Sequence, residues 1–191
     1  SKIMEGLPTA GLPPLMRNWS EYAWLVRHME QTGFINTIRE IWWDVRPHHS
    51  FGTVEVRVCD MPGNLEDALA LAALVQCLVK ALSDLIDEGA YQHDCHPMLV
   101  QQNKWRACRY GTRAKLVNVK TFETQSLPSI VNSLLDYLQP TARDLNCQPY
   151  LERVREIASR PSWADRQLQI FHQTRDPRQV VDAMLRQSRI A

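Results

Sequence analysis

The sequence lacks paired cysteines and glycine-rich loops, and these absences exclude several classes of protein. Its five cysteines are irregularly spaced and form no Cys-x-x-Cys pair, so neither a disulfide framework nor a zinc site is predicted. This pattern, with no recognisable signal peptide, is typical of reduced thiols in a cytoplasmic protein. The seven glycines occur singly, which argues against P-loop and dinucleotide-binding chemistry.

The chain also lacks an excess of one charge and a long apolar run. Its 22 basic and 21 acidic residues give a net charge of +1, so neither a nucleic-acid partner nor an anionic membrane surface is predicted. The longest unbroken apolar run is Ala68–Val75. A membrane span needs about 20 predominantly apolar residues, so we expect a buried core helix here and no membrane. The 191 residues, 45% of them apolar, fit a single domain over residues 1–191.

A stretch of alternating residues at 37–60 predicts a β-hairpin. Two segments with a period of two flank a short loop that is bounded by Pro47 and Gly52. Side chains alternate across a strand, so each strand has an apolar face and a charged face. If the two strands pair, their charged side chains share one surface. The predicted apolar face carries Ile41, Trp43, Val45, Val54, Val56 and Val58, and the predicted charged face carries Asp44, Arg46, Glu55 and Arg57.

The charged face of this hairpin has two interpretations. Carboxylates supply the oxygen ligands that Mg²⁺ prefers, and guanidinium groups bind phosphate or carboxylate with planar pairs of donors. A metal–phosphate site is therefore one interpretation. The other is an ordinary solvated face with cross-strand ion pairs, which antiparallel sheets often have. The spacing alone leaves both open.

Apolar spacing and capping residues predict that the rest of the chain is mostly helical. Asn18 and Asn64 are suited to cap helices. Residues 127–191 form a predicted helical tail whose segments are separated by prolines, and residues 114–123 are a strand or a loop. The predicted helices are 18–32, 64–88, 97–110, 127–146, 149–159, 162–173 and 177–189.

The predicted helix 97–110 carries polar side chains along one side. Asn103 and Arg106 share a face, and Arg109 lies almost one turn further along an adjacent strip. Two arginines about one turn apart can clamp a carboxylate or phosphate through bidentate hydrogen bonds. The alternative is a solvated helix face.

Several segments resemble the YbdK-type carboxylate-amine ligases, the family of glutamate-cysteine ligase type two. The hairpin sequence IWWDVRPHHSFGTVEVRVCD (41–60) and the segment QNKWRACRYG (102–111) are long and specific matches. Shorter matches lie at LPTAGLPP (7–14), at Trp163–Gln167 and at DPRQVVDAML (176–185). The resemblance spans essentially the whole chain.

The resemblance implies a fold and an activity. The implied fold is α+β, with a glutamine synthetase-like antiparallel sheet, partial in this chain, that is packed with helices and followed by a mostly helical C-terminal part. The implied activity is ATP- and Mg²⁺-dependent ligation of a carboxylate to an amine through an acyl phosphate, with weak glutamate-cysteine ligase activity. Because family members have an N-terminal half with a glutamate-rich strand, we expect this chain to be the C-terminal half of a longer catalytic domain.

The resemblance also implies roles for individual residues, with ATP and Mg²⁺ as the cofactors. Glu55 is the expected metal ligand, and Asp44 is a second ligand or an orienting group. Arg57 is expected to bind the γ-phosphate of ATP and Arg46 to bind phosphate or the substrate carboxylate, which makes them the predicted catalytic residues. The predicted cofactor-binding residues are Arg46, Arg57, Asn103, Arg106 and Arg109.

Two departures from the family pattern concern the second signature. Gln102 stands where the family tends to have Glu, and Thr112 and Arg113 stand where it tends to have Leu-Asp, so fine substrate selectivity is not implied. The expected partners are amino-acid carboxylate and amine substrates, ATP, and further copies of the chain, because a partial sheet exposes strand edges that favour association. The alternative function is a non-catalytic α+β interaction or assembly module.

Overall fold

The computed structural model describes residues 4–48, 50–90 and 95–188, and the chain divides into two compact units, Ser1–Asp60 and Met61–Ala191. The expectation of one domain over the whole chain stays a prediction. The mixture of helices and short strands confirms the α+β class. The glutamine synthetase-like sheet also stays a prediction, since the described strands form separate two-stranded sheets.

The described residues of the first unit contain one α-helix, α1 (Trp19–Gln31). It begins after Asn18, whose side-chain oxygen accepts the Glu21 N–H at 3.0 Å. It ends before Gly33, which adopts a φ of 73° that favours glycine. The helix predicted at 18–32 is therefore confirmed.

Within residues 4–48 and 50–60, four short strands accompany α1. Two of them pair in parallel and two pair antiparallel, which confirms a hairpin within the segment predicted to form one. In the antiparallel pair Arg46 lies directly opposite Glu55. The strands are β1 (Ala10–Gly11) with β2 (Trp42–Trp43), and β3 (Val45–His48) with β4 (Thr53–Val56).

The core of the first unit packs α1 against the segment that leads into the hairpin. The hydroxyl of Tyr22 on α1 donates to the Pro47 carbonyl at 2.9 Å, which ties the helix to β3. Burial raises the pKa of this tyrosine hydroxyl. The buried members of the core are Tyr22, Val26, Ile35, Ile38, Ile41 and Trp43.

The burial of the hairpin differs from the alternation that the sequence predicts. Trp43 is buried as expected, but Val45 is 39% exposed and Arg46 only 3% exposed. The reason is a bend at Asp44, whose N–H donates to the Gly11 carbonyl at 2.7 Å. This bend separates β2 from β3, which have different partners, so the inward-facing side changes between them. As a consequence, the side of β3 that carries Arg46 faces the protein interior.

The second unit is mostly helical, and its helices begin and end close to the predicted residues. Asn64 caps the first of them by accepting the Asp67 N–H at 2.8 Å. Pro140 lies inside α4 and does not end it. The helices are α2 (Leu65–Asp87), α3 (Pro97–Tyr110), α4 (Leu127–Asp144), α5 (Gln148–Ser159), α6 (Trp163–Thr174) and α7 (Pro177–Ser188), and the strands are β5 (Lys115–Val117) and β6 (Thr124–Ser126), which pair antiparallel.

The core of the second unit lies between α2, α4 and α5. The buried face of α2 consists of small side chains, which allow close helix packing. Among the described helices, α2 also has the length and apolar composition that a membrane span needs, and only 22% of its apolar window is buried. The expectation of a buried core helix and no membrane therefore stays a prediction. The buried members of this core are Ala70, Ala73, Cys77, Ala81, Leu135, Leu138, Ala142, Cys147, Leu151 and Val154.

Candidate functional site

Three charged side chains of the hairpin form a continuous chain of ion pairs. Glu55 is at its centre. Its Oε2 accepts a hydrogen bond from Arg46 Nη2 at 2.5 Å, and its Oε1 accepts one from Arg57 Nη1 at 3.0 Å. Arg46 reaches Glu55 because the two residues are directly opposite in the β3–β4 register. The structure therefore brings three of the four predicted hairpin residues into one connected group.

The three members of this group differ in exposure. The side chain of Arg46 is 4% exposed, whereas those of Glu55 and Arg57 are 40% and 36% exposed. Arg46 Nη1 donates to the carbonyl oxygens of Ile38 at 2.6 Å and Ile41 at 2.8 Å. Glu55 and Arg57 are therefore the members that a ligand in solution can reach.

Asp44, the fourth predicted residue, lies at the bend before β3 and is 8% exposed. Its carbonyl accepts the N–H groups of Arg57 at 2.7 Å and Val58 at 3.2 Å. These bonds fix the main chain where it leaves β4. The position of the Arg57 backbone is thus set by the bend, while its side chain is held by Glu55.

Asp44 and Glu55 are the carboxylates of the hairpin that could hold a cation. Within residues 4–48, 50–90 and 95–188, no group of three or more His, Cys, Asp or Glu side chains could hold a metal ion. Mg²⁺ usually takes one or two protein carboxylates and completes its shell with phosphate oxygens and water. Asp44 and Glu55 match such a site in number and in ligand type, and their roles as metal ligands stay predictions.

The predicted residues of α3 lie in the second unit. Asn103 exchanges two hydrogen bonds with the main chain of Val117, both at 2.8 Å, and Arg106 Nη1 donates to the Lys115 carbonyl at 3.2 Å. These two side chains attach α3 to β5. Arg109 is exposed. The binding roles of Asn103, Arg106 and Arg109 stay predictions.

A buried carboxylate that the sequence analysis did not single out joins three helices of the second unit. Asp67 on α2 is 2% exposed. It accepts hydrogen bonds from Arg153 Nε at 2.9 Å, from Arg160 Nη2 and from the indole N–H of Trp163 at 3.0 Å. Because the partners are distant in sequence, local spacing gives no signal for this cluster. Its contacts are all internal, which makes it a structural feature.

The segment that begins at Trp163 also has a structural explanation. Ser162 and Asp165 form a capping box at the start of α6. Hydrogen bonds from Ser162, and the nearby Arg113, hold the pKa of the Asp165 carboxyl below its ordinary value. The Arg166 guanidinium lies 4.9 Å from the centre of the Trp163 ring, in a cation–π arrangement.

Comparison with known proteins decides the family. The model of glutamate-cysteine ligase family 2 (GCS2) matches residues 1–183. The chain belongs to this family. The resemblance inferred from the hairpin and from the α3 segment is therefore confirmed, and residues 41–60 and 102–111 are segments of a family 2 chain.

Individual relatives in glutamate-cysteine ligase family 2 match nearly all of this chain. Proteins named "Putative glutamate--cysteine ligase 2" from Gloeobacter violaceus and Sorangium cellulosum are 39% and 38% identical to it, over 92% and 98% of the chain. One named "Putative glutamate--cysteine ligase 2-1" from an Arthrobacter species is 40% identical over 88% of it. These matches cover 47%, 50% and 44% of the relatives. The chain thus spans about half the length of the curated relatives it matches.

Proposed function

We propose that this chain is part of an ATP- and Mg²⁺-dependent carboxylate-amine ligase of the glutamate-cysteine type. Family membership supports the reaction class, because relatives carry the name of glutamate-cysteine ligases. The observation that carries the proposal is the Arg46–Glu55–Arg57 ion-pair chain, which lies on a hydrogen-bonded hairpin with two of its members exposed. The proposed substrates are an amino-acid carboxylate, an amine and ATP.

The proposed reaction has two steps. First, a carboxylate oxygen of one substrate attacks the γ-phosphorus of ATP, the bond to the bridging oxygen breaks, and an acyl phosphate and ADP form. Second, the amine attacks the acyl carbon, inorganic phosphate leaves with the bonding electrons, and the nitrogen loses a proton as the amide forms. The protein's task in such phosphoryl transfer is to position the groups and to stabilise charge.

The hairpin residues fit this task by their chemistry. Arg57 presents an exposed guanidinium, which suits the oxygens of the γ-phosphate. Glu55 holds that guanidinium through one oxygen and has exposed lone pairs for a cation that also binds phosphate oxygens. Bound Mg²⁺ would neutralise phosphate charge, with Glu55 and Asp44 as its protein ligands.

The test is a calorimetric titration of Mg²⁺ and ATP into the chain and its variants. We expect Arg57→Ala to weaken ATP binding at least tenfold, because a hydrogen bond to a charged group contributes about 1.5–3 kcal/mol. We expect Glu55→Gln to weaken the Mg²⁺ dependence of that binding. Arg17→Ala and Glu30→Gln, exposed changes on or next to α1, are the matched controls and should leave binding unchanged.

Two outcomes would contradict the proposal. If the folded chain binds no ATP with Mg²⁺, it does not carry a complete nucleotide site by itself. If a chain extended to the full length of its relatives binds none either, a non-catalytic interaction module becomes the better explanation. If ATP binds but Arg57→Ala and Glu55→Gln bind as tightly as the controls, the hairpin is a solvated face. Where binding is seen, phosphate release that requires both glutamate and cysteine would identify the proposed ligation.

A further inference from the structure

Arg46 is the buried member of the hairpin ion-pair chain, and one guanidinium group joins three segments of the first unit. It extends from β3, donates to the carbonyls of Ile38 and Ile41, which begin and follow the 3-10 turn Ile38–Glu40, and donates to Glu55 on β4. The Ile38 carbonyl also accepts the Ile41 N–H at 3.1 Å, and the Ile41 carbonyl lies just past the end of the turn, where carbonyl oxygens carry partial negative charge. They therefore suit a cation, and they fix Arg46 Nη1 in one orientation.

Burial of this charge needs a reason beyond packing. A buried ion pair is often no more stabilising than well-packed apolar residues of similar volume. Arg46 Nε is also buried without a hydrogen-bond partner among the described residues, which is unfavourable. An apolar side chain would fill the space, but it would leave the flexible side chain of Glu55 without its fixed partner. What the arginine adds is a defined position for the Glu55 carboxylate.

We infer that Arg46 is a positioning residue that acts on Arg57 through Glu55, and that Arg57 alone of the two arginines contacts the phosphate of ATP. The path is continuous: Arg46 Nη2 holds Glu55 Oε2 at 2.5 Å, and Glu55 Oε1 holds Arg57 Nη1 at 3.0 Å. The side chain of Arg46 is 4% exposed, so almost none of it is open to a ligand. This inference rests on the proposed function and changes the role that the family resemblance implies for Arg46.

A double-mutant cycle on ATP affinity separates positioning from direct contact. We expect Arg46→Met to weaken ATP binding with Mg²⁺ three- to tenfold and Arg57→Ala at least tenfold. The cycle is also run without Mg²⁺, where the proposed metal-ligand role of Glu55 does not contribute. There the double variant should bind ATP within twofold of Arg57→Ala alone, because Arg46 acts through Glu55 on Arg57. Arg46→Lys should recover part of the loss, since an ammonium group keeps the charge but lacks the planar fork whose two nitrogens reach the carbonyls and Glu55. Arg17→Met, at a side chain that is 90% exposed, is the control.

Several results would overturn the inference. If the loss in the double variant without Mg²⁺ equals the product of the two single losses, Arg46 contacts ATP itself. If Arg46→Met binds ATP like the control, Arg46 has only a structural role. If Arg46→Met does not fold, the same cycle is run with Arg46→Lys.

A second measurement keeps the inference separate from the proposed function. If the wild-type chain binds no ATP, the proposed function fails for this chain. Measurements of unfolding then test whether Arg46 positions Glu55. Unfolding equilibria are measured for Arg46→Met, Glu55→Gln and the double variant. If Arg46 positions Glu55, the change in the unfolding equilibrium constant of the double variant should differ at least fivefold from the product of the two single changes. A coupling below twofold would show that Arg46 does not hold Glu55 in solution.

Discussion

The absence of a side chain at Gly63 is explained by one neighbouring residue, Trp163. A Cβ at this position would lie 2.6 Å from ring atoms of Trp163. The ring cannot move away easily, because its N–H is bound to Asp67 at 3.0 Å and Arg166 stacks on it. Close approach, and not an unusual backbone angle, is the reason for glycine here.

We therefore expect Gly63→Ala to lower the free energy of unfolding by about 2 kcal/mol, as overpacking in a filled space does. Urea denaturation followed by circular dichroism measures this loss. Gly6→Ala is the matched control, because nothing lies within 4 Å of a Cβ there. Equal stability of the two variants would mean that Trp163 moves aside at little cost.

Two cysteines lie side by side in the core of the second unit. Cys77 on α2 and Cys147 at the start of α5 are buried, with their sulfur atoms 3.4 Å apart. Burial, together with the hydrogen bond and the charge of Cys147, raises the pKa of the Cys77 thiol to about 11. The thiolate is the reactive form, and such a pKa leaves roughly one thiol in a thousand ionised at pH 8.

We expect a thiol reagent at pH 8 to modify the exposed Cys59 and Cys108 of the folded protein and to spare the buried pair. Peptide mapping by mass spectrometry after a timed reaction with iodoacetamide identifies the modified positions. In concentrated urea all cysteines should react, because burial no longer protects any of them. Rapid modification of Cys77 in the folded protein would show that the core around it opens.

Asp67 connects elements, because its carboxylate holds groups from α5, from the α5–α6 connection and from α6. Removing one partner of a buried ion pair leaves the other partner uncompensated, at a cost of about 3–5 kcal/mol. The side chains of Arg153 and Arg160 are 26% and 22% exposed, so water can partly solvate them, and the expected loss of stability lies near the lower end of this range. We expect Asp67→Ala to lower the free energy of unfolding by about 3 kcal/mol.

Glu66→Ala provides the control for this prediction. Glu66 is the neighbouring acidic residue, with a side chain that is 77% exposed, and it pairs with Arg153 at 3.4 Å. An exposed pair contributes about 0–1 kcal/mol, so the two adjacent carboxylates should differ clearly in urea denaturation. If they do not, the Asp67 cluster does not hold the helices together in solution.

The helices and strands were predicted from the sequence better than the contacts between them. Apolar spacing and caps such as Asn18 and Asn64 act locally, so helix positions follow from the sequence. The pairing of the hairpin strands followed as well, whereas their register, with Arg46 opposite Glu55, was not predicted. The burial of Arg46 did not follow, because it depends on a main-chain bond between Asp44 and the distant Gly11. The presence of Arg46, Glu55 and Arg57 on one hairpin thus followed from the sequence, whereas the exposure of these side chains did not.

At the scale of the whole molecule, the two units have separate cores. Every buried member of the larger core lies on α2, α4 or α5 or at the start of α5, all within residues 61–191. The Asp67 cluster and the α3–β5 contacts lie in the same unit. The first unit has a smaller core around α1, and a domain of about 60 residues is marginally stable because it buries only about 60% of the surface of its chain.

We therefore expect the fragment 61–191 to fold when it is produced alone and the fragment 1–60 to be far less stable. Circular dichroism should show a helical fragment 61–191 with a single cooperative thermal transition. The amide signals of its α2, α4 and α5 should match those of the full chain in NMR spectra. A fragment 61–191 that unfolds without a cooperative transition would mean that its core needs the first unit. Because the hairpin arginines and Glu55 lie in residues 1–60, a folded fragment 61–191 that still bound ATP with Mg²⁺ would locate the nucleotide site outside the hairpin.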